Sequence, residues 1–285
     1  RNYIKRTDDL NNIRAGKNDF VTNVLKGTTH DKLVFITQTG QAHILKAHKI
    51  PEHHGLSTGD PLNKFLKLPM NEKVVSVLLL NDHVKENYIT IATKDGLVKK
   101  TKGEEYETRV SSIKAINLNE GDKIIGATVT NGSKHLLLGT KQGQTIHFKE
   151  DEVSDTGRNT KGSKGINLSS NDKVISINVT NDSDVVVALT SNGRGKVSPL
   201  EEYKLQNRNG KGLKTMTNDD YELLNIITAN KEDKLHFVTK NGELIEKEVE
   251  NITSTKRLGG MYSQIDLQDD ILKEVCKDPI NKSFD

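Results

Sequence analysis

The chain has 285 residues, 33% of them hydrophobic and 28% charged, with no Trp, 5 Pro against 22 Gly, and a formal net charge of +3. Short apolar runs recur throughout, none is long enough to cross a bilayer, and no charged-then-apolar leader opens the chain. Composition therefore excludes disorder and a helical membrane protein, and points to many small buried strands. A single cysteine, Cys276, excludes an internal disulfide framework and fits a reducing cytosol, and a first residue of Arg1 rather than Met reads as a piece of something longer.

In chain order, the opening string Asn2-Tyr3-Ile4-Lys5-Arg6-Thr7 matches Gly96-Leu97-Val98-Lys99-Lys100-Thr101, so the chain starts inside a repeat. The pattern Thr-x-x-Gly, with apolar residues before it and alternating ones after, then begins at Thr37, Thr93, Thr140, Thr190 and Thr239. Its glycines are spaced 56, 47, 50 and 49 residues apart. Asp95-Gly96, Asn192-Gly193 and Asn241-Gly242 supply the positive φ angles of tight hairpins. A second landmark keeps the same period: apolar segments at 20–25, 74–80, 124–129, 174–179, 223–228 and 271–275, several behind turns such as Asn119-Glu120-Gly121-Asp122. Segments such as Gly165-Ile166-Asn167-Leu168 add one more short strand.

Four strands in each stretch of about 50 residues, six times over, predict an all-β fold, a six-bladed β-propeller. Helical repeats are excluded because no segment sustains a 3.6-residue period. The expectation is one domain over 1–278 with a fraying tail at 279–285, the ring closing if the terminal segments complete each other's blade.

Charge falls at fixed places in the repeat. After the hairpin comes a loop reading Gly157-Arg158-Asn159-Thr160-Lys161-Gly162-Ser163-Lys164 in one copy and Gln206-Asn207-Arg208-Asn209-Gly210-Lys211-Gly212-Leu213-Lys214 in the next. Weaker versions carry Arg14 with Lys17, and Arg257; Arg109 has a comparable offset. Hairpin returns add Lys5, Arg6, Lys99, Lys100, Arg194 and Lys196. Acidic residues fall elsewhere, as Glu104-Glu105, Glu150 to Glu152 and Glu201-Glu202. Taken singly, each Lys is a solvated side chain. Equivalent places in successive blades share one rim, so the set predicts a basic stripe on a nearly neutral chain. Cations beside glycines suit the phosphate backbone of duplex DNA, with specificity limited to deformability.

Three strings carry a family resemblance over essentially the whole length: Thr93-Lys94-Asp95-Gly96-Leu97-Val98-Lys99-Lys100-Thr101, Gly157-Arg158-Asn159-Thr160-Lys161-Gly162, and Leu200-Glu201-Glu202-Tyr203 leading to 206–212. With them the chain resembles the C-terminal domain of the A subunit of DNA gyrase and its relative topoisomerase IV. The resemblance implies a hairpin-invaded propeller that wraps duplex DNA and presents it to a cleavage gate elsewhere. It implies no catalytic residue, metal or cofactor here, the gate tyrosine lying in the family's N-terminal region and ATP and Mg2+ being used elsewhere in the holoenzyme. It also implies partners in the rest of the A subunit, together with an ATPase B subunit of an A2B2 assembly, in the cytoplasm. Gyrase is marked by a heptapeptide of the form Gln-Arg-Arg-Gly-Gly-Lys-Gly, expected in the first blade. Here the best copy is 206–212, keeping Gln206, Arg208, Gly210, Lys211 and Gly212, while 12–18 keeps only Arg14, Gly16 and Lys17. Gyrase is the reading favoured, topoisomerase IV the alternative; a protein-interaction propeller is the runner-up from another class.

Enzyme chemistry finds no candidate. Gly162-Ser163-Lys164 has the wrong order for a phosphate-binding loop, and the nine histidines show no ligand spacing with cysteine or carboxylates. Tyr106 and Tyr203, in matching Glu-Glu-Tyr contexts, read as packing within the repeat.

Overall fold

The computed structural model describes residues 3–9, 20–55, 57–217 and 222–279. The Thr-x-x-Gly pattern has a direct cause. Each threonine hydroxyl accepts the main-chain N–H of the residue after the glycine, at 3.3 Å for Gln41 on Thr37, 3.2 Å for Leu97 on Thr93, 3.0 Å for Gln144 on Thr140, 3.2 Å for Arg194 on Thr190 and 3.0 Å for Glu243 on Thr239. The glycine takes a φ of 78 to 90° that the turn requires.

In chain order the first strands are β1 (Tyr3–Ile4), β2 (Lys32–Thr37), β3 (Gln41–Lys46), β4 (Asp60–Pro61) and β5 (Val74–Leu80). A helical turn α1 (Asp82–Lys85) precedes β6 (Tyr88–Thr93), β7 (Leu97–Lys102), β8 (Ser112–Lys114) and β9 (Ile124–Thr130). Next come β10 (His135–Thr140), β11 (Gln144–Lys149), β12 (Ser163–Lys164), β13 (Val174–Thr180), β14 (Val185–Thr190), β15 (Arg194–Pro199) and β16 (Leu213–Lys214). The last are β17 (Leu223–Ala229), β18 (Lys234–Thr239), β19 (Leu244–Glu248), β20 (Tyr262–Ser263) and β21 (Leu272–Lys277).

These strands make five blades, not six. The sheets run β5-β2-β3-β8, β9-β6-β7-β12, β13-β10-β11-β16 and β17-β14-β15-β20, with a three-stranded fifth, β21-β18-β19. The pair β1-β4 stands apart, and it is all that the opening copy contributes among the described residues. A blade needs a full hairpin and an inner strand. The opening copy shows a single two-residue strand, and segment 20–25, expected as one of its short strands, forms none. The terminal segments do not share a sheet: β21 closes on β18 of its own repeat, and β1 on β4. The ends approach differently, with the Phe20 ring edge-on to His236 of β18 at 6.3 Å. Residues 280–285, most of the expected tail, lie outside the described residues; Asp278 still donates its N–H to the Lys234 carbonyl, 2.8 Å away.

Inner strands β5, β9, β13, β17 and β21 pack against one another in that order. The outer strand of each four-stranded blade comes from the following repeat: β8 on β3, β12 on β7, β16 on β11, β20 on β15. Blades therefore exchange strands, as the resemblance implied. The two sequence landmarks share a period because they are bonded: the carboxylate opening an inner strand caps the hairpin turn of its own repeat, Asp122 accepting from Asp95 N–H and Asp172 from Gln142 N–H, both at 3.0 Å. Apolar side chains pack from blade to blade, Val34 and Ile36 of β2 with Ile89 and Ile91 of β6, and Val187 and Leu189 of β14 with Leu235 and Phe237 of β18. Tyr106 and Tyr203 are buried in this core.

Candidate nucleic-acid interface

The basic loops lie at the rim, each leading into a donated outer strand. Register puts Lys114 opposite Gln41, Lys164 opposite Leu97 and Lys214 opposite Gln144, which are equivalent first residues of β3, β7 and β11. These three lysines therefore occupy one position in three successive blades, and all are exposed. Lys161 and Lys211, three residues earlier in their loops, are exposed as well. At the fourth blade that register breaks, and Lys256 is the exposed lysine of its loop. Ser263 takes the lysine's place opposite Arg194, Gly260 replaces Lys161 and Lys211, and Leu258 and Tyr262 are exposed instead. Lys114 escaped sequence reasoning because its loop is short and lacks the glycine-rich string. The signal that could have found it is the 50-residue step from 114 to 164 to 214.

The arginines do something else. The main-chain N–H of Arg208 donates to the Glu152 carboxylate at 2.7 Å, its Nε to the Glu152 carbonyl at 3.0 Å, and its terminal nitrogen to the Lys164 carbonyl on the neighbouring blade. Arg257 repeats the arrangement on Glu202, at 2.7 and 3.1 Å, and on the Lys214 carbonyl. Arg158 makes a looser version, its N–H 3.2 Å from Glu105 and its terminal nitrogen 3.1 Å from the Lys114 carbonyl. Each guanidinium thus clamps one blade to the next beneath the lysines.

Three hairpin lysines are buried. Lys99 and Lys196, 1% and 0% exposed, point under the loops, and burial pulls both ammonium groups down to about 8. Lys100 lies 4.8 Å over the Tyr88 ring and 3.9 Å from the buried Glu150 carboxylate. None of the three offers its charge at the surface. Lys5 donates to the Ser57 carbonyl at 2.9 Å, Arg6 pairs with Glu52 at 2.8 Å, and Arg194 donates to the Met261 carbonyl at 3.2 Å. Arg109 is exposed but one residue out of step with the clamp arginines. Arg14 and Lys17 lie outside the described residues.

The loop glycines serve packing. A Cβ on Gly162 would stand 2.7 Å from the Val98 carbonyl oxygen, and one on Gly212 2.8 Å from that of Thr145, so the close approach is to the adjacent strand. Gln206 and Gly210 are half-buried in the same loop, Gln206 N–H donating to the His147 carbonyl at 2.8 Å.

The loop at 53–59 is the second repeat's counterpart of 206–212, and it has no clamp arginine. There the His53 ring bridges Ser57 Oγ and Asp60, each at 2.9 Å, while Lys64 holds Asp60 at 2.7 Å. The serine hydroxyl also accepts Gly59 N–H at 3.2 Å, so this His–Ser–Asp set pins its own turn. Asp8, Glu52 and His54 bring ligand atoms within 4.8 Å of one another, but all three are exposed and Arg6 already occupies Glu52. Among the described residues no helix is long and apolar enough to cross a membrane.

Three comparisons bear on the family and the fold. The family described as DNA gyrase C-terminal domain, beta-propeller, matches residues 31–81, 87–131, 134–181 and 184–242. The A subunit of DNA gyrase from Helicobacter pylori strain J99 is 36% identical over 178 residues, 57% of this chain and 21% of that protein. The chain thus spans about a fifth of the length of such relatives. Among solved structures, a C-terminal domain of DNA topoisomerase IV superposes with a TM-score of 0.91 at 23% identity, covering 99% of this chain and 93% of that one. A DNA gyrase A C-terminal domain gives 0.75 at 18% identity, with 88% and 83% covered. At those identities the structural likeness speaks for the fold.

Proposed function

The chain belongs to the DNA gyrase C-terminal β-propeller family, and from that premise we propose that it is the non-catalytic, DNA-bending domain of a type IIA topoisomerase A subunit, gyrase being the reading put forward. One observation carries the proposal: Lys114, Lys164 and Lys214 stand at equivalent register on three successive outer strands, with Lys161 and Lys211 beside them. A duplex following that rim meets a cation at each of these three blades while the Glu-bound arginines stay beneath.

Bending costs about 1–6 kcal/mol for a smooth arc of this kind, and phosphate contacts along the rim offset it. If each of the five lysines neutralises one phosphate, log affinity falls with log salt at a slope of about −4.5. The partners on this reading are duplex DNA, the remainder of the A subunit, plus an ATPase B subunit in an A2B2 assembly in the cytoplasm, with ATP and Mg2+ used outside this domain.

Binding of random-sequence duplex across a salt series tests the reading. Lys114→Ala/Lys164→Ala/Lys214→Ala is expected to weaken binding to all sequences alike and to flatten the slope by about 2.7. Affinity that ignores salt points instead to a protein-binding propeller. Topology assays with the full A subunit plus its ATPase partner separate the two enzymes: net negative supercoiling means gyrase, decatenation without it topoisomerase IV.

A further inference from the structure

Lys99 on β7 and Lys196 on β15 hold equivalent positions, two residues after the strand residues Leu97 and Arg194 that pair with the donated outer strands. Each runs beneath the loop that the next repeat lays across its strand. Lys196 Nζ donates to the Arg257 carbonyl and, at 2.8 Å, to that of Gly259, with the Lys256 carbonyl at 3.5 Å. Lys99 Nζ donates to the Arg158 carbonyl at 3.0 Å and to Ala115, at the base of the neighbouring outer strand, at 2.7 Å. An ammonium has three donors and no acceptor, so it suits a crown of carbonyls. In the same loops the main-chain N–H groups of Arg158 and Arg257 are taken by Glu105 and Glu202. Carbonyls held inward and an amide held by a carboxylate leave these loops one conformation.

The loop between them is built otherwise. Ile146 stands on β11 where Lys99 and Lys196 stand on β7 and β15, and a Cβ on Gly210 would lie 3.4 Å from Ile146 Cδ1. Loops 157–162 and 256–260 are therefore held from below by charge, while beneath 206–212 the equivalent position carries the uncharged Ile146.

We propose that Lys99 and Lys196 are positioning residues for DNA, their buried ammonium groups setting the loop conformation that aims Lys161, Lys164 and Lys256 outward. This rests on the DNA-binding reading above and adds a pH dependence to it. The charged groups facing Lys99 are Glu105 and Arg158, and those facing Lys196 are Arg257 and Glu202. Burial lowers both lysines to about 8, so they lose their protons as pH rises through that value. Loop opening would return each lysine to water and its ordinary value of 10.5, so the neutral amine, which still has two donors for the carbonyls, favours the closed loop, and the two loops tighten as pH rises through 8.

Duplex binding at fixed salt is measured between pH 7 and 9 for the wild type, K99M/K196M and K161A/K164A. Relative to K99M/K196M, the wild type is expected to bind more tightly as pH rises through 8. K99M/K196M binds about three- to tenfold more weakly at pH 7, the effect of losing hydrogen bonds that order a site, with a flat profile thereafter. Parallel pH profiles for wild type and K99M/K196M overturn the proposal. Amide hydrogen exchange of the wild-type domain, corrected for intrinsic rate, keeps it falsifiable if the double variant fails to fold. Loops 157–162 and 256–260 must gain protection above pH 8 while 206–212 does not, and equal behaviour of all three refutes it. If K161A/K164A leaves binding unchanged, the rim reading fails while the exchange result still judges the lysines.

Discussion

Replacing Arg208 by alanine separates a clamp from a phosphate ligand. The substitution keeps the main-chain N–H on Glu152 and removes two side-chain bonds, Nε to the Glu152 carbonyl at 3.0 Å and the terminal nitrogen to the Lys164 carbonyl on the next blade. Bonds from a charged donor contribute about 1.5–3 kcal/mol each when buried, and the half-buried rim lets water replace part of that, which leaves about 2–3 kcal/mol for the pair. For a domain of this size that lowers the melting temperature by roughly 5–10 °C. Arg257, with the same bonds to Glu202 and Lys214, is expected to match it. Arg158→Ala is expected to lose less, because its Nε has no hydrogen-bond partner and lies 3.9 Å from Glu105. Lys211→Ala, an exposed change, stays within about 0.5 kcal/mol. The assay is urea unfolding of the four variants beside duplex binding under conditions where all remain folded. An Arg208→Ala protein that unfolds at the wild-type midpoint yet binds DNA far more weakly refutes the clamp and returns the guanidinium to the phosphates.

Two further outcomes follow from buried groups. Lys99 and Lys196 titrate near 8 folded against an ordinary value of 10.5, so between those pH values the unfolded chain binds more protons and stability rises with pH, by up to about 3 kcal/mol for each lysine. The unfolding free energy of wild type minus K99M/K196M, measured at pH 7.5 and 10, must grow accordingly, and a constant difference contradicts it. Gly103→Ala would place a Cβ 1.8 Å from the Val84 carbonyl oxygen at the end of α1, a backbone clash expected to cost about 3–4 kcal/mol in urea unfolding. A loss under about 1 kcal/mol would mean that α1 moves aside freely.

Much of the propeller was legible because its signals are local. Thr140 and Gly143 are three residues apart and close one hairpin turn, and Asp172 announces β13 while capping that same turn, so both markers repeat with the unit. The blade number was not legible. The string 2–7 resembles a hairpin return as well as Leu97 to Thr101 does, yet it forms a two-residue strand on β4, and segment 20–25 has the composition of an inner strand without pairing as one. The site was half legible for the same reason. Lys161 and Lys164 stand exposed on the loop the sequence marked; Lys99, Lys100 and Lys196 look like rim cations in the sequence and are buried ones in the fold.

What the chain's order of residues determined by itself is the repeating hairpin and the placement of charge within each unit, since periodicity and turn chemistry act over a few residues. Tertiary structure alone decided how many blades form and which cations face outward. A strand completes a sheet only when a partner some fifty residues away reaches it, and a lysine is covered only when the next repeat lays its loop over it.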